Sequence, residues 1–149
     1  RTGLMRRAPF EEHVARMAED HHASGRAMAM AMLRVAPAPG ARAPADQAWR
    51  RSFTEICALA GRLVRDTDSI AAFGRDVIAV ALPACDLAGA RRSAERIASV
   101  AECTAFASTD SDAPPILFEH NAVELQPGES GSALLARAGR GLELESLTA

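Results

Sequence analysis

Residues 63–83 read LVRDTDSIAAFGRDVIAVALP, and this stretch decides the fold. Two apolar runs, Ser69 to Phe73 and Val77 to Leu82, flank the triplet Gly74-Arg75-Asp76. A glycine-containing link of this length between two apolar runs predicts a β-hairpin. The tetrapeptide RDTD just upstream sets Arg65 at a helix end and Asp68 at the start of the first strand.

Helical periodicity appears on both sides of the hairpin. Upstream, Phe53, Ile56, Cys57, Ala60 and Leu63 form one face of a helix over about Gln47–Val64, with Asp46 as its expected cap. Downstream, Asp86 caps a helix that turns Leu87, Ala90, Ala94, Ile97 and Val100 inward. Before the first of these, RAMAMAMLRVA at 26–36 is an apolar run with no helix signal, closed by Gly25 and Pro37, and reads as a buried central strand. A further helix is expected over Phe10–His22, ended by Ala23-Ser24-Gly25. CTAFAS at 103–108 and PILFEHNAVEL at 115–125 read as further strands, and the tail holds one short helix and a last strand. The order α-β-α-β-β-α-β-β-α implies an α+β fold with helices on a mainly antiparallel sheet.

The chain has 149 residues, the length of one domain, and is 48% hydrophobic with no apolar run near the roughly 18 residues of a spanning helix. RTGLMRRAPF at the start lacks the apolar segment of a signal peptide, so the expected location is cytoplasmic. The formal net charge of −2 argues against a nucleic-acid binder. All 17 basic residues are Arg, so no Lys is present as a catalytic amine. Cys57, Cys85 and Cys103 form no CxxC pair and are expected to be reduced and mostly buried. His13, His21, His22 and His120 show no metal spacing, and no metal or cofactor is expected. Trp49 is read as packing at the core edge and Phe73 as core, with Arg91 and Arg92 on a solvated helix face.

The phrase DSIAAFGRDVIAVALPACDLAGARRSAERIAS, together with TGLMRRAPFEE near the start, resembles the GGDEF domain, the nucleotidyl-cyclase-like fold of diguanylate cyclases. The resemblance covers nearly the whole chain, so residues 1–149 read as one such domain, placed at the C-terminal end of a longer regulator. The five-letter signature falls on Gly74, Arg75, Asp76, Val77 and Ile78, of which Gly74 and Asp76 keep the family residue. In the family, the fourth position and two places at the end of the first strand supply metal-holding carboxylates. Here these are Val77, Arg34 and Ala36. The phosphate-neutralising Lys of the family's C-terminal helix has no counterpart in RAGRGLELES, and Arg50 stands where an Asp reads guanine. Phosphoryl transfer depends on metal-assisted alignment and charge stabilisation. The resemblance therefore implies a domain without cyclase activity, not an enzyme.

What the chain keeps is the family's allosteric RxxD. Arg65 and Asp68 stand five residues ahead of Gly74, and Arg96 falls on the Arg that often joins them. In the family this site binds cyclic di-GMP. Arg can meet the O6/N7 edge of guanine as a planar fork, Asp68 can accept from guanine N–H groups, and Arg65 and Arg96 can offset phosphate charge. The expectation is a cyclic di-GMP receptor that regulates a protein partner, an adaptor or protease-delivery protein, and forms a homodimer if a neighbour supplies an Arg. The partner surface is expected to include exposed positions close to this site, with the Arg75-Asp76 turn as a candidate edge. The alternative is an interaction module that binds no nucleotide.

Overall fold

The computed structural model describes residues 3–40, 43–106 and 115–142. The elements run β1 (Leu4–Met5), α1 (Arg7–Ser24), β2 (Met28–Pro37), α2 (Asp46–Leu63), β3 (Ser69–Phe73), β4 (Val77–Pro83), α3 (Leu87–Phe106), β5 (Ile116–Glu124) and α4 (Gly131–Arg140). The five strands form one sheet in the order β1-β3-β4-β2-β5. Every pairing is antiparallel except β1 with β3. The α+β architecture expected from the sequence is therefore present, with helices on both faces of the sheet.

The run MAMAMLRVA is a strand because it is buried on both sides. Met28, Met30 and Met32 point to the face covered by α1 and α4, while Ala29, Ala31, Leu33 and Val35 point to the face covered by α2 and α3. The partner strand β4 carries the opposite distribution of size. It turns Ala79 and Ala81 toward the Met face and Val80 and Leu82 toward the Ala face. Across the ladder, Met30 faces Ala81, Ala31 faces Val80, Met32 faces Ala79 and Ala29 faces Leu82. Each pair joins a large residue to a small one, so each face keeps a near-constant volume along the strands. A Met→Ala change here would open a cavity costing about 2–5 kcal/mol.

The first and last helices approach closely. A Cβ on Gly131 would lie 2.7 Å from the Val14 carbonyl oxygen, so α4 begins on the backbone of α1. Its start is fixed by Ser130, whose hydroxyl accepts from the Ala133 N–H at 3.1 Å.

Three sequence expectations change, and one element was not expected. Cys103 to Phe106 do not begin a strand; they are the last residues of α3. Their β-compatible side chains are overruled by a helix already nucleated from Asp86, whose carboxylate accepts from the Gly89 N–H at 2.8 Å. Ala107 and Ser108, and the last strand expected in the tail, lie outside the described residues. Asp46 does not cap α2: the N-cap is Ala45, and Asp46 is the first helical residue. There its charge still favours the helix N-terminus. Cys103 is exposed rather than buried, and Cys85 is half-buried, leaving only Cys57 in the core. Finally, Leu4–Met5 is a strand parallel to β3, a two-residue element too short to show a period.

Candidate functional site

Arg65, Asp66, Thr67 and Asp68 make a turn between α2 and β3, two residues beyond the helix rather than in its last turn. The Asp68 N–H donates to the Arg65 carbonyl at 3.0 Å, closing the turn. The Asp68 side chain then reaches back. Its Oδ2 accepts from the Arg65 backbone N–H at 2.8 Å. Its Oδ1 accepts from Arg65 Nη2 at 2.8 Å and from Nε at 3.2 Å. The i,i+3 spacing thus has a local cause: a four-residue turn brings the carboxylate onto both the N–H and the guanidinium of the residue that opens it.

A third contact comes from the end of β4. Arg65 Nη2 also donates to the Pro83 carbonyl at 2.8 Å. The next residue, Ala84, has φ 50, a left-handed conformation that a non-glycine residue adopts at a cost of about 1–2 kcal/mol. This kink turns the chain from β4 into α3. Asp68 is only 3% exposed, while the Arg65 side chain is 52% exposed. The buried acid holds a basic group whose outer edge meets solvent. The hydrogen bond that Arg65 donates to Asp68 raises the Arg65 guanidinium above its ordinary pKa, against the opposing effect of burial.

These residues border an open cavity of ≈ 590 Å³ where α2, the end of β4 and the start of α3 meet. Arg65, Asp68 and Arg96 all line it, so the three residues singled out in the sequence share one cavity. Cys85, Asp86, Gly89, Arg92 and Ser93 complete its polar side. Burial pushes the Cys85 thiol up, with Arg65 the larger opposing charge and Arg92 a smaller one.

The hairpin tip lies at the other end of the same strands. Gly74, at φ 62, makes the turn in a conformation that favours glycine. Val77 is 4% exposed and faces the core under α1 and α4. It pairs in register with Arg34, whose Nη2 meets Glu119 Oε1 at 2.6 Å. Ala36 pairs with Leu117. The Arg75 carbonyl accepts from Trp49 Nε1 at 3.0 Å, and Arg75 Nη2 meets Asp46 at 3.2 Å. The Val35 N–H donates to the Asp76 carbonyl at 2.7 Å. Trp49 is buried as a core-edge residue with its indole N–H satisfied, and Phe73 is 3% exposed. Arg50 is exposed on α2.

No protein-family model matches the chain, and no curated protein is similar to it. Solved structures are. The GGDEF domain of DgcB from Caulobacter crescentus, solved in complex with c-di-GMP, superposes with a TM-score of 0.77 over 97% of this chain and 84% of its own, at 19% identity. The chain has the GGDEF-domain fold. Diguanylate cyclase SiaD from Pseudomonas aeruginosa, solved with its activator SiaC, gives 0.74 over 96% of this chain and 55% of its own at 20% identity. The FimX GGDEF domain of the same organism gives 0.72 over 95% and 88% at 11%.

Residues 74–78, matched to the signature in the sequence, lie at the β3–β4 tip, and the Arg65–Asp68 turn opens β3 at the opposite end. The sequence did not single out Arg92, Cys85 or Gly89 for the site. The sequence places Arg92 on a solvated helix face, and it is exposed. What placed it on the cavity is its spacing four residues before Arg96 on one helix face, a signal available in GARRSAER. The Arg75-Asp76 turn, expected as a candidate edge of a partner surface near the site, does not adjoin this cavity, because both strands separate them.

Proposed function

We propose that this chain is a degenerate GGDEF domain that binds cyclic di-GMP at the Arg65–Asp68–Arg96 cavity and does not synthesise it. The observation that carries the reading is the convergence of these three residues on one cavity, with Arg65 held by three donors into Asp68. Asp68 acts chiefly as the positioning residue for Arg65. A guanidinium fixed in place loses less entropy on gripping a guanine edge or a phosphate.

Absence of cyclase activity is supported by Val77, Arg34 and Ala36 at the positions that hold metal carboxylates in active relatives. Val77 is buried in the core, and Arg34 brings a positive charge, held by Glu119, to a place where a divalent cation would need a negative one. The bound ligand then serves as an input to a protein partner. A decayed signature beside a kept RxxD resembles PopA, a cell-cycle effector that follows receiver domains. On that resemblance the partner is an adaptor or protease-delivery protein, in the cytoplasm. Among the described residues no helix is long and apolar enough to cross a membrane.

Calorimetric titration with cyclic di-GMP tests the reading. Saturable binding, weakened about a hundredfold by Arg65→Ala, is expected from the loss of a charge-assisted contact of about 2–3 kcal/mol. No binding at about 100 μM ligand would reject it and leave an interaction module.

A further inference from the structure

The cavity carries more positive charge than the RxxD reading uses. Three Arg and two Asp line it. Both acids are already committed: Asp68 to Arg65, and Asp86 to the Gly89 N–H. Glu124, which reaches this corner from β5, accepts from the Leu87 N–H at 2.7 Å. The first N–H groups of α3 are therefore capped by carboxylates, and the helix terminus is not what would receive an anion here.

Arg92 and Arg96 remain. They stand four residues apart on α3, both exposed, and both on the cavity wall. Neither has a hydrogen bond or ion pair to a described residue. Like charges at this spacing repel along a helix. Their neighbour Arg91 does not line the cavity. Arg65 lines the same cavity with its outer edge exposed, and the Cys85 thiol lies within electrostatic reach of both Arg65 and Arg92. At the floor, a Cβ on Gly89 would meet Cys85 Sγ at 2.7 Å, so the glycine lets the thiol pack against the first turn of α3, and the same Cβ position lies 3.8 Å from Arg92 Nη2.

We infer that Arg92 is a further ligand-contacting residue and that Arg92 and Arg96 together clamp a phosphodiester of the ligand, in the cavity that Arg65 also lines. The inference deepens the cyclic di-GMP reading and rests on it. A phosphodiester oxygen pair relieves the repulsion between the two guanidiniums and gives each a charged acceptor. The clamp asks only for positive charge and donors, so an ammonium can substitute at this position. A guanine edge asks for the planar fork, which an ammonium lacks.

The test is calorimetric titration of cyclic di-GMP into the wild-type chain, Arg92→Ala and Arg92→Lys at two salt concentrations. Arg92→Ala is expected to weaken binding about tenfold and to flatten its salt dependence. Arg92→Lys is expected to stay within about threefold of wild type. Its melting temperature tells a clamp from a structural role: Arg92→Ala removes a repulsion and should melt no lower than wild type. Wild-type binding with an unchanged Arg92→Ala titration overturns the clamp and leaves the cyclic di-GMP reading intact. A Lys variant as weak as the Ala variant overturns the phosphate assignment, and a lowered melting temperature overturns the ligand role. If the wild type does not bind cyclic di-GMP, that reading falls separately. The clamp is then decided by NMR of the Arg Nε–Hε groups during titration with inorganic pyrophosphate. Shifts at Arg92 and Arg96 that vanish in Arg92→Ala sustain it, and their absence overturns it.

Discussion

Replacing Asp68 separates a residue that positions Arg65 from one that touches ligand. In the structure the Asp68 carboxylate accepts from the Arg65 N–H at 2.8 Å and from its guanidinium at 2.8 and 3.2 Å. The bond from the Arg65 N–H to the carboxylate braces the turn and contributes about 1 kcal/mol. The guanidinium bonds join a buried acid to a half-exposed base, and solvent screening holds their joint contribution to about 1 kcal/mol. Asp68→Ala should therefore cost about 2 kcal/mol, or roughly 4–8 °C in Tm for a domain of this size. Affinity for cyclic di-GMP should fall about tenfold, because an unheld Arg65 must be ordered on binding. The decisive measurement is the double-mutant cycle with Arg65→Ala. If Asp68 acts through Arg65, then Asp68→Ala changes affinity little once Arg65 is gone. If instead Asp68→Ala costs the same factor in both backgrounds, Asp68 meets the ligand directly and the positioning argument is wrong.

Four further outcomes are expected. GTP with Mg²⁺ or Mn²⁺ should give no cyclic di-GMP, and Val77→Glu should not restore synthesis, because Arg34 and Ala36 remain; product from the purified wild-type chain in a chromatographic assay would refute this. Ligand-dependent capture of the partner by full-length protein should be lost in Arg65→Ala and kept in Arg75→Ala, and the reverse pattern would place the partner surface at the hairpin tip. Arg137 holds the Glu129 carboxyl below its ordinary pKa by hydrogen bonding, against burial. Its folded-state pKa lies below the unfolded one, so the stabilisation is present above about pH 4.5 and lost as pH falls further; acid melts of Glu129→Gln should lack that component. Burial pushes the Cys57 thiol from 9.0 to about 11, so its contribution is present below pH 9.0 and lost as pH rises toward 11. A thiol reagent at pH 8 should label Cys103 at once and Cys57 only on unfolding, and equal labelling rates would contradict the burial.

The elements with a strong period were legible in the sequence. The face of α2 through Phe53, Ile56, Cys57 and Ala60 is the buried face, and MAMAMLRVA is the doubly buried strand. The β3–β4 hairpin lies where the glycine turn placed it. What was not legible depends on tertiary contact. Cys103-Thr104-Ala105-Phe106 carries no local preference strong enough to stop a helix already running for four turns, so its strand character was misleading. Leu4–Met5 becomes a strand only because β3 offers it an open edge. The large-small matching of β2 against β4 was written in both strands but has meaning only once the register is known. In the site, residue types were readable and relations were not. That Asp68 turns onto Arg65 follows from the closed turn, and that Arg92 shares the cavity follows from where β4 delivers α3.

The geometry also explains how residues at one end of the hairpin can vary independently of those at the other. β3 leaves the RxxD turn and runs to the hairpin tip; β4 returns to Pro83, whose carbonyl holds Arg65. The five residues of β3 span about 17 Å at the rise of an extended strand. Substitutions at the tip therefore touch neither the cavity nor Arg65. The tip is secured in its own right, by Trp49 and Asp46 on Arg75 and by Val35 on Asp76. Val77 adds apolar burial where a carboxylate would have been costly without a metal. The same separation limits how a ligand could act. A molecule gripping Arg65, Arg92 and Arg96 bridges the β3 entry and α3, and it bears on the angle between these elements rather than on the tip. A partner that senses the ligand must then read the cavity rim or the outer face of α3.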